Sequence, residues 1–236
     1  MIIVVGNRCY AEPIRHLDKV TFEPKSLTED PKESSLVMFT GGEDIHPHFY
    51  KGIDHYNVCS TNIQRDKYEE KIFRFCVKHG IKMTGICRGI QFLNVMAGGF
   101  MYQHITRHAG VVHKAYFPYD DTVKKVTSTH HQLVGLPNSA VPIAWSSPKR
   151  SEIYVGPFGL KIEPPEHEIE AAVFPNINAM GVQYHPEMLG EEDSCRIHYG
   201  RMVGDFVEMD VEEFIDKYDE GAANGQSKRV GESGQN

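Results

Sequence analysis

Gly85-Ile86-Cys87-Arg88-Gly89 joins two segments of different character. Before it, Ile81 to Ile86 is a short apolar run that reads as a strand; after it, Ile90 to Ala97 reads as a buried helix. Glycines two residues either side of a cysteine permit a tight strand-to-helix turn that most residues do not fit. Gly-x-Ser-x-Gly turns use the same geometry to expose a nucleophile at the top of a sheet. Such a turn also aims the first free amides of the helix at whatever the nucleophile meets. The spacing therefore predicts both a βα unit and a reactive thiol.

Working outward, Gln64 to His79 is the clearest amphipathic helix, with Tyr68, Ile72, Phe75 and Cys76 at i, i+4, i+7 and i+8. Gly80 stands where a C-terminal cap belongs. Ile2 to Val5 and Leu36 to Phe39 are β-rich runs ending at Gly6 and at Thr40-Gly41-Gly42. The stretch between them carries Pro13, Pro24 and Pro31, has a poor helix signal, and holds a short strand around Val20 to Phe22. Strands alternating with helices predict an α/β fold, a mostly parallel sheet with helices on both faces. From Val111 short strands follow, at Val123–Val126, Pro142–Trp145, Ile153–Val155 and Ala171–Phe174. Met180 to Gln183 is a last strand, and Cys195 to Val207 a final helix. Residues 222–236 are rich in Gly, Ser and Gln and read as a disordered tail, leaving 1–221 as one domain.

The bulk composition narrows the function. The chain has 236 residues, 40% hydrophobic and 24% charged, as in an ordinary globular protein. A formal net charge of −7 argues against nucleic acid as the main partner. No apolar run approaches the roughly 20 residues that span a bilayer, and the apolar start lacks the basic leader of a signal peptide. The five cysteines are odd in number and form no Cys-x-x-Cys pair, which points away from disulfides and towards a reducing cytoplasm.

A thiol nucleophile needs a base and a group to orient that base. His185-Pro186-Glu187 directly follows a core strand, so His185 falls on the C-terminal sheet edge where Cys87 also emerges. Glu187, two residues on, can fold back onto the imidazole. The predicted triad is Cys87, His185 and Glu187. The oxyanion donors are the amide of Arg88 and one from Gly41-Gly42. Gln91 lies one helical turn past Cys87, where it can hold the polar end of a small substrate. Among thirteen histidines, the pairs His46/His48, His104/His108 and His130/His131 join no Cys or Asp at a zinc-site spacing, so no metal is expected.

These segments resemble the class I glutamine amidotransferase superfamily, closest to its γ-glutamyl hydrolase-like branch, which includes the γ-glutamyl-γ-aminobutyrate hydrolases. The matching stretches are Gly41 to Pro47, Arg65-Asp66 with Glu69, and Gly85 to Gln91. Asn94 to Gly99 with Gln103, His130-His131-Gln132 and Gly181 to Glu187 complete the set. The resemblance implies a flavodoxin-like, three-layer sandwich with additional short antiparallel strands and no cofactor. It gives Cys87, His185 and Glu187 the triad roles, and Gly42 and Arg88 the oxyanion hole. Gln91 is placed on the γ-glutamyl group, with Gly41 and the His130-His131-Gln132 loop bordering the pocket. The chain departs from the branch in its short proline-rich segment before Gly41, in Tyr184 where Trp or Phe is usual, and in Thr127 where asparagine is usual. The last two are expected to touch substrate fit rather than the triad.

Four functions follow. The first is hydrolysis of a small-molecule γ-glutamyl amide. The second is a glutaminase subunit passing ammonia to a separate synthetase or ligase, since no phosphate loop is present in this chain. The third is a silent binding module, against which the intact triad residues argue. The fourth is an α/β-hydrolase with a cysteine nucleophile, which fits less well because that fold places its acid before its histidine. A homodimer is the remaining partner considered.

Overall fold

Residues 1–29, 31–54 and 56–219 are described by a computed structural model; the expected tail 222–236 and the domain end at 221 lie outside them. In chain order the strands are β1 (Ile2–Val5), β2 (Val20–Thr21), β3 (Leu36–Phe39), β4 (Met83–Ile86), β5 (Phe100–Tyr102), β6 (His104–Ile105) and β7 (Val111–Phe117). They continue with β8 (Thr122–Ser128), β9 (Leu133–Gly135), β10 (Val141–Ser146), β11 (Tyr154–Val155), β12 (Ile169–Phe174) and β13 (Ala179–Val182). The α-helices are α1 (Ser26–Glu29), α2 (Ile63–His79), α3 (Arg88–Met96), α4 (Ser194–Glu208) and α5 (Val211–Tyr218).

The main sheet runs β2-β1-β3-β4-β13-β12-β10-β7-β8 among the described residues. From β2 to β13 the neighbours are parallel; from β13 to β8 they are antiparallel. The antiparallel strands thus continue the same sheet. Two short ladders, β5 with β9 and β6 with β11, stand apart from it.

Every residue of β1, β3, β4 and β13 is buried, because helices cover both faces. The period of two divides each strand between two cores. Ile3, Val37 and Phe39 pack with Phe73 and Cys76 of α2 and with Ile90 and Phe92 of α3. Ile2, Val4 and Met38 pack with Tyr199, Val203 and Phe206 of α4 and Phe214 of α5. Each fully buried Ile or Phe contributes about 1.5–3 kcal/mol.

Helix α2 begins where the Asn62 side chain accepts from the Arg65 amide, and ends at Gly80 with φ 66°. Helix α5 was not anticipated, although Asp210 and Glu213 form a capping box at its start. The proline-rich stretch holds a 3-10 turn, Arg8–Ile14, and the single-turn α1 where no helix was expected. Asn7 opens that turn by accepting from the Cys9 amide.

Candidate active site

Register brings the candidate residues together. Ile86 of β4 pairs with Val182 of β13 in parallel, so both strands end side by side. Cys87 follows one and the segment 183–187 follows the other. The Cys87 amide donates to the Val182 carbonyl at 2.8 Å, tying the turn to that edge.

Cys87 has φ 54° and ψ −107°, a conformation that a non-glycine residue adopts only under constraint. The flanking glycines supply that constraint. A Cβ on Gly85 would lie 2.2 Å from the Gly89 carbonyl carbon, and one on Gly89 would lie 2.1 Å from the Phe39 carbonyl oxygen. Strand, turn and helix approach too closely for any side chain there. No side chain caps α3, so its first amides remain directed at the turn.

His185 is 2% exposed. Its Nδ1 and Glu187 Oε1 are 2.6 Å apart, and its Nε2 and the Thr129 hydroxyl 2.7 Å apart. Burial alone would lower the imidazole pKa. Hydrogen bonds to Cys87 and Glu187, and their charges, outweigh burial and push it up to about 10. The backbone of His185 is pinned to β8: its amide donates to the Thr127 carbonyl at 3.3 Å, and the Thr127 hydroxyl donates to its carbonyl at 2.8 Å. Thr127 therefore acts on the histidine itself rather than on substrate fit alone. Tyr184 is fully buried against Phe117, on the core side of the strand end.

The Gly41-Gly42 turn is held by Arg65. Its Nη2 donates to the Thr40 and Gly41 carbonyls at 3.1 and 2.9 Å, while Nε and Nη1 bind Glu69 and Glu43, each at 2.8 Å. A trans peptide places a carbonyl and the next amide on opposite sides. With the Gly41 carbonyl turned to Arg65, the Gly42 amide points away from it. Gly42 has φ 141°, and a Cβ there would meet Arg65 Nη1 at 2.1 Å.

Behind the elbow, the Arg88 guanidinium is buried between Asp66 and Glu69 of α2. Asp66 also accepts from the His46 amide at 3.0 Å. One carboxylate thus links the residue after Cys87 to the loop after Gly42.

The remaining candidates are placed differently from one another. Gln91 is 2% exposed and lies 3.4 Å from Gln183. His131 is partly exposed and pairs with Asp44 at 3.1 Å. His130 and Gln132 are buried; His130 Nδ1 meets the Gln132 carbonyl at 2.8 Å, and Gln132 donates to Cys59 Sγ at 3.2 Å. All five cysteines are free. Burial pushes the Cys59, Cys76 and Cys195 thiols up to about 12, which keeps them protonated.

Two contributors carried no sequence signal. Tyr10, in the proline-rich stretch, sets its ring 5.8 Å from that of His185, and its hydroxyl would lie 2.2 Å from a Cβ on Gly41. Thr129 reaches His185 only because β8 ends beside β13's extension. Their positions depend on tertiary packing.

A family model for Peptidase C26 matches residues 32–187. The chain belongs to this family. The match begins just before β3 and ends at Glu187, so it holds the elbow, the Gly41-Gly42 turn and the His185 segment together. Protein NtpR of Enterococcus hirae is 33% identical over 85 residues, 36% of this chain and 36% of that protein. The glutamine amidotransferase-like protein RP404 of Rickettsia prowazekii is 39% identical over 70 residues, 30% of this chain and 25% of that one. The chain thus matches about a third or less of the length of these two relatives. A glutamine amidotransferase structure from Thermotoga maritima superposes with TM-score 0.53 at 17% identity, over 98% of this chain and 97% of that one. The Peptidase C26 match and the Rickettsia relative agree with the superfamily resemblance read from the sequence, and the superposition agrees with its flavodoxin-like fold. Among the described residues no helix is long and apolar enough to cross a membrane.

Proposed function

We propose that this Peptidase C26 chain hydrolyses a γ-glutamyl amide, glutamine or a γ-glutamyl conjugate, through a thioester on Cys87. The observation that carries the reading is a shared sheet edge. Parallel pairing of β4 with β13 brings Cys87 and the His185 segment out side by side, and His185 Nδ1 is held 2.6 Å from Glu187.

His185 acts as general base and takes the proton of the Cys87 thiol. The thiolate attacks the γ-carbonyl carbon, and the carbonyl oxygen takes up the negative charge. The amides of Arg88 and Gly42 receive that oxyanion. His185 then gives its Nε2 proton to the leaving nitrogen as the C–N bond breaks, and the amine departs. The neutral imidazole next takes a proton from water while the oxygen of that water attacks the thioester. The C–S bond breaks, leaving a free γ-carboxyl, the thiolate and the imidazolium. Glu187 holds the ring in one orientation through both halves. The Asp44–His131 pair, partly exposed beside the Gly42 turn, is the candidate contact for the α-amino and α-carboxylate groups of the substrate.

A diazo-ketone glutamine analogue tests this directly. Intact-mass and peptide mapping should place one adduct on Cys87, and Cys87→Ala should abolish both labelling and amide turnover. Labelling elsewhere, with turnover surviving in Cys87→Ala, would remove Cys87 from the reaction.

A further inference from the structure

Beside the candidate active site lies a second buried cluster that the proposed hydrolysis does not use. His108, His113 and Glu170 place one ligand-type atom each within 4.8 Å of one another, and all three are buried. His108 follows β6, His113 sits on β7 and Glu170 on β12, so three separate elements converge. Their sequence separation explains why no motif spacing announced them.

The contacts are asymmetric in a way that suits a metal. His113 Nε2 is 2.8 Å and His108 Nδ1 3.9 Å from Glu170 Oε1. The far nitrogen of His108, Nε2, lies 3.2 Å from Glu168 Oε2. Glu168 is itself fixed by the amides of Arg150 and Ser151 at 2.8 and 2.7 Å and by the Tyr154 hydroxyl at 2.7 Å. A histidine that binds a metal through one nitrogen and a fixed carboxylate through the other is the common outer-shell arrangement of zinc sites. His130 is the available fourth ligand. Its ring is 5.0 Å from that of His108, and its Nδ1 meets the Gln132 carbonyl, which leaves Nε2 as the lone-pair nitrogen.

Polar satisfaction points the same way. Both ring nitrogens of His108, His113 Nδ1, Glu170 Oε2 and His130 Nε2 are buried without a hydrogen-bond partner among the described residues. A buried polar atom left without a partner is costly, so something is expected to pair with each. Glu168 and Glu170 are both 0% exposed.

We propose that His108, His113 and Glu170, completed by His130, form a structural site for a divalent transition metal of the zinc type. Zinc–ligand bonds of about 2.0–2.2 Å put tetrahedral ligand atoms roughly 3.3–3.6 Å apart, so shifts of about 1 Å bring His108, His113 and Glu170, now within 4.8 Å of one another, into range. A cleft of about 450 Å³, lined by Lys114, Lys125 and Arg150 among others, lies on the His113 side of the cluster. The site braces the catalytic edge: Gln183, two residues before His185, donates its amide to the Glu170 carbonyl at 2.7 Å.

The test is metal analysis of the full chain expressed with added Zn²⁺, or with Co²⁺ in zinc-poor medium, and then desalted. One zinc per chain is expected. The cobalt form should show visible d–d bands of tetrahedral intensity without the near-ultraviolet thiolate band, and Cys alkylation should leave them unchanged. Stripping by a strong chelator under mild denaturation should lower Tm by several degrees, because a ligand that binds only the native state stabilises it. Glu170→Gln and His108→Asn should each lose the metal. If those variants do not fold, the wild-type metal count and cobalt spectrum decide. Absence of retained zinc and cobalt, a thiolate-type spectrum, or full metal content in folded Glu170→Gln would each overturn the site. None of these readouts depends on turnover at Cys87.

Discussion

The guanidinium of Arg88 is clasped by the Asp66 carboxylate, both side chains being essentially inaccessible to solvent. This pair joins the start of α3, just after Cys87, to α2, and Asp66 extends the link to His46. A buried ion pair is costly to break from one side, because the surviving charge is left unpaired; the usual loss is about 3–5 kcal/mol. Asp66→Asn is therefore expected to destabilise the protein by about 3 kcal/mol in urea titrations. Arg88→Met alone should be similarly costly, and the double variant should lose clearly less than the sum. Additive losses would show that the two residues are not coupled.

Glycine at the elbow matters for space, whereas at Gly98 it matters for backbone angle. At Gly89 a methyl group collides with the Phe39 carbonyl, whereas at Gly98, with φ +94°, a Cβ meets nothing within 4 Å. Gly98→Ala pays only backbone strain, on the order of 1–3 kcal/mol. Gly89→Ala must push β3 and α3 apart, so a loss beyond that range, or failure to accumulate as soluble protein, is expected. Equal stability of the two variants by thermal melting would remove the steric account of the Gly-x-Cys-x-Gly spacing.

The elbow and the helix–strand order were legible because local chemistry dictates them. Gly85, Gly89 and the apolar run before Cys87 leave few alternatives, and Gly80 marks the end of α2. The side-by-side exit of Cys87 and His185 followed from parallel pairing at a sheet edge. The loop 130–132 shows the opposite case. Its sequence signal is strong, yet only His131 is left partly open, because His130 is drawn into the cluster with His108. Tyr10 and Thr129 were invisible for a related reason: nothing local to either residue records that tertiary packing will carry it to His185. Glu170 lies on the buried strand β12 and Glu168 just before it, and only the fold shows what faces them.

The Glu187 contact gives His185 a measurable signature. The imidazole is expected to titrate near pH 10, seen by histidine ring ¹⁵N shifts. A raised histidine pKa contributes stability that is complete below the unfolded value, about 6.5. That contribution is lost as pH rises through about 10. Glu187→Gln removes the negative charge but keeps an acceptor, so the midpoint should fall and the loss should begin at lower pH. Diazo-ketone labelling of Cys87 should slow in the same variant, because the imidazolium is less populated at neutral pH. An unchanged midpoint in Glu187→Gln would mean that Glu187 does not set the charge state of His185.

On the acid side the relevant histidine lies far from the elbow. His198 of α4 is buried against Phe117, with its Nε2 against the Tyr119 hydroxyl. Burial, aided by the charge of Lys124, lowers its pKa to about 4. The native state therefore refuses a proton that the unfolded chain accepts near pH 6.5. Stability from this residue is present above about 6.5 and is lost as pH falls through about 4, roughly 3 kcal/mol over the window at about 1.4 kcal/mol per pH unit. His130, also held neutral, acts in the same direction. His198→Gln keeps a neutral acceptor for Tyr119 and removes the titration. Between pH 6.5 and 4.5, above the range where Glu168 begins to matter, the variant should show a shallower fall in urea stability, by close to one proton's worth of slope. A fall as steep as the wild type would place the acid sensitivity in other groups.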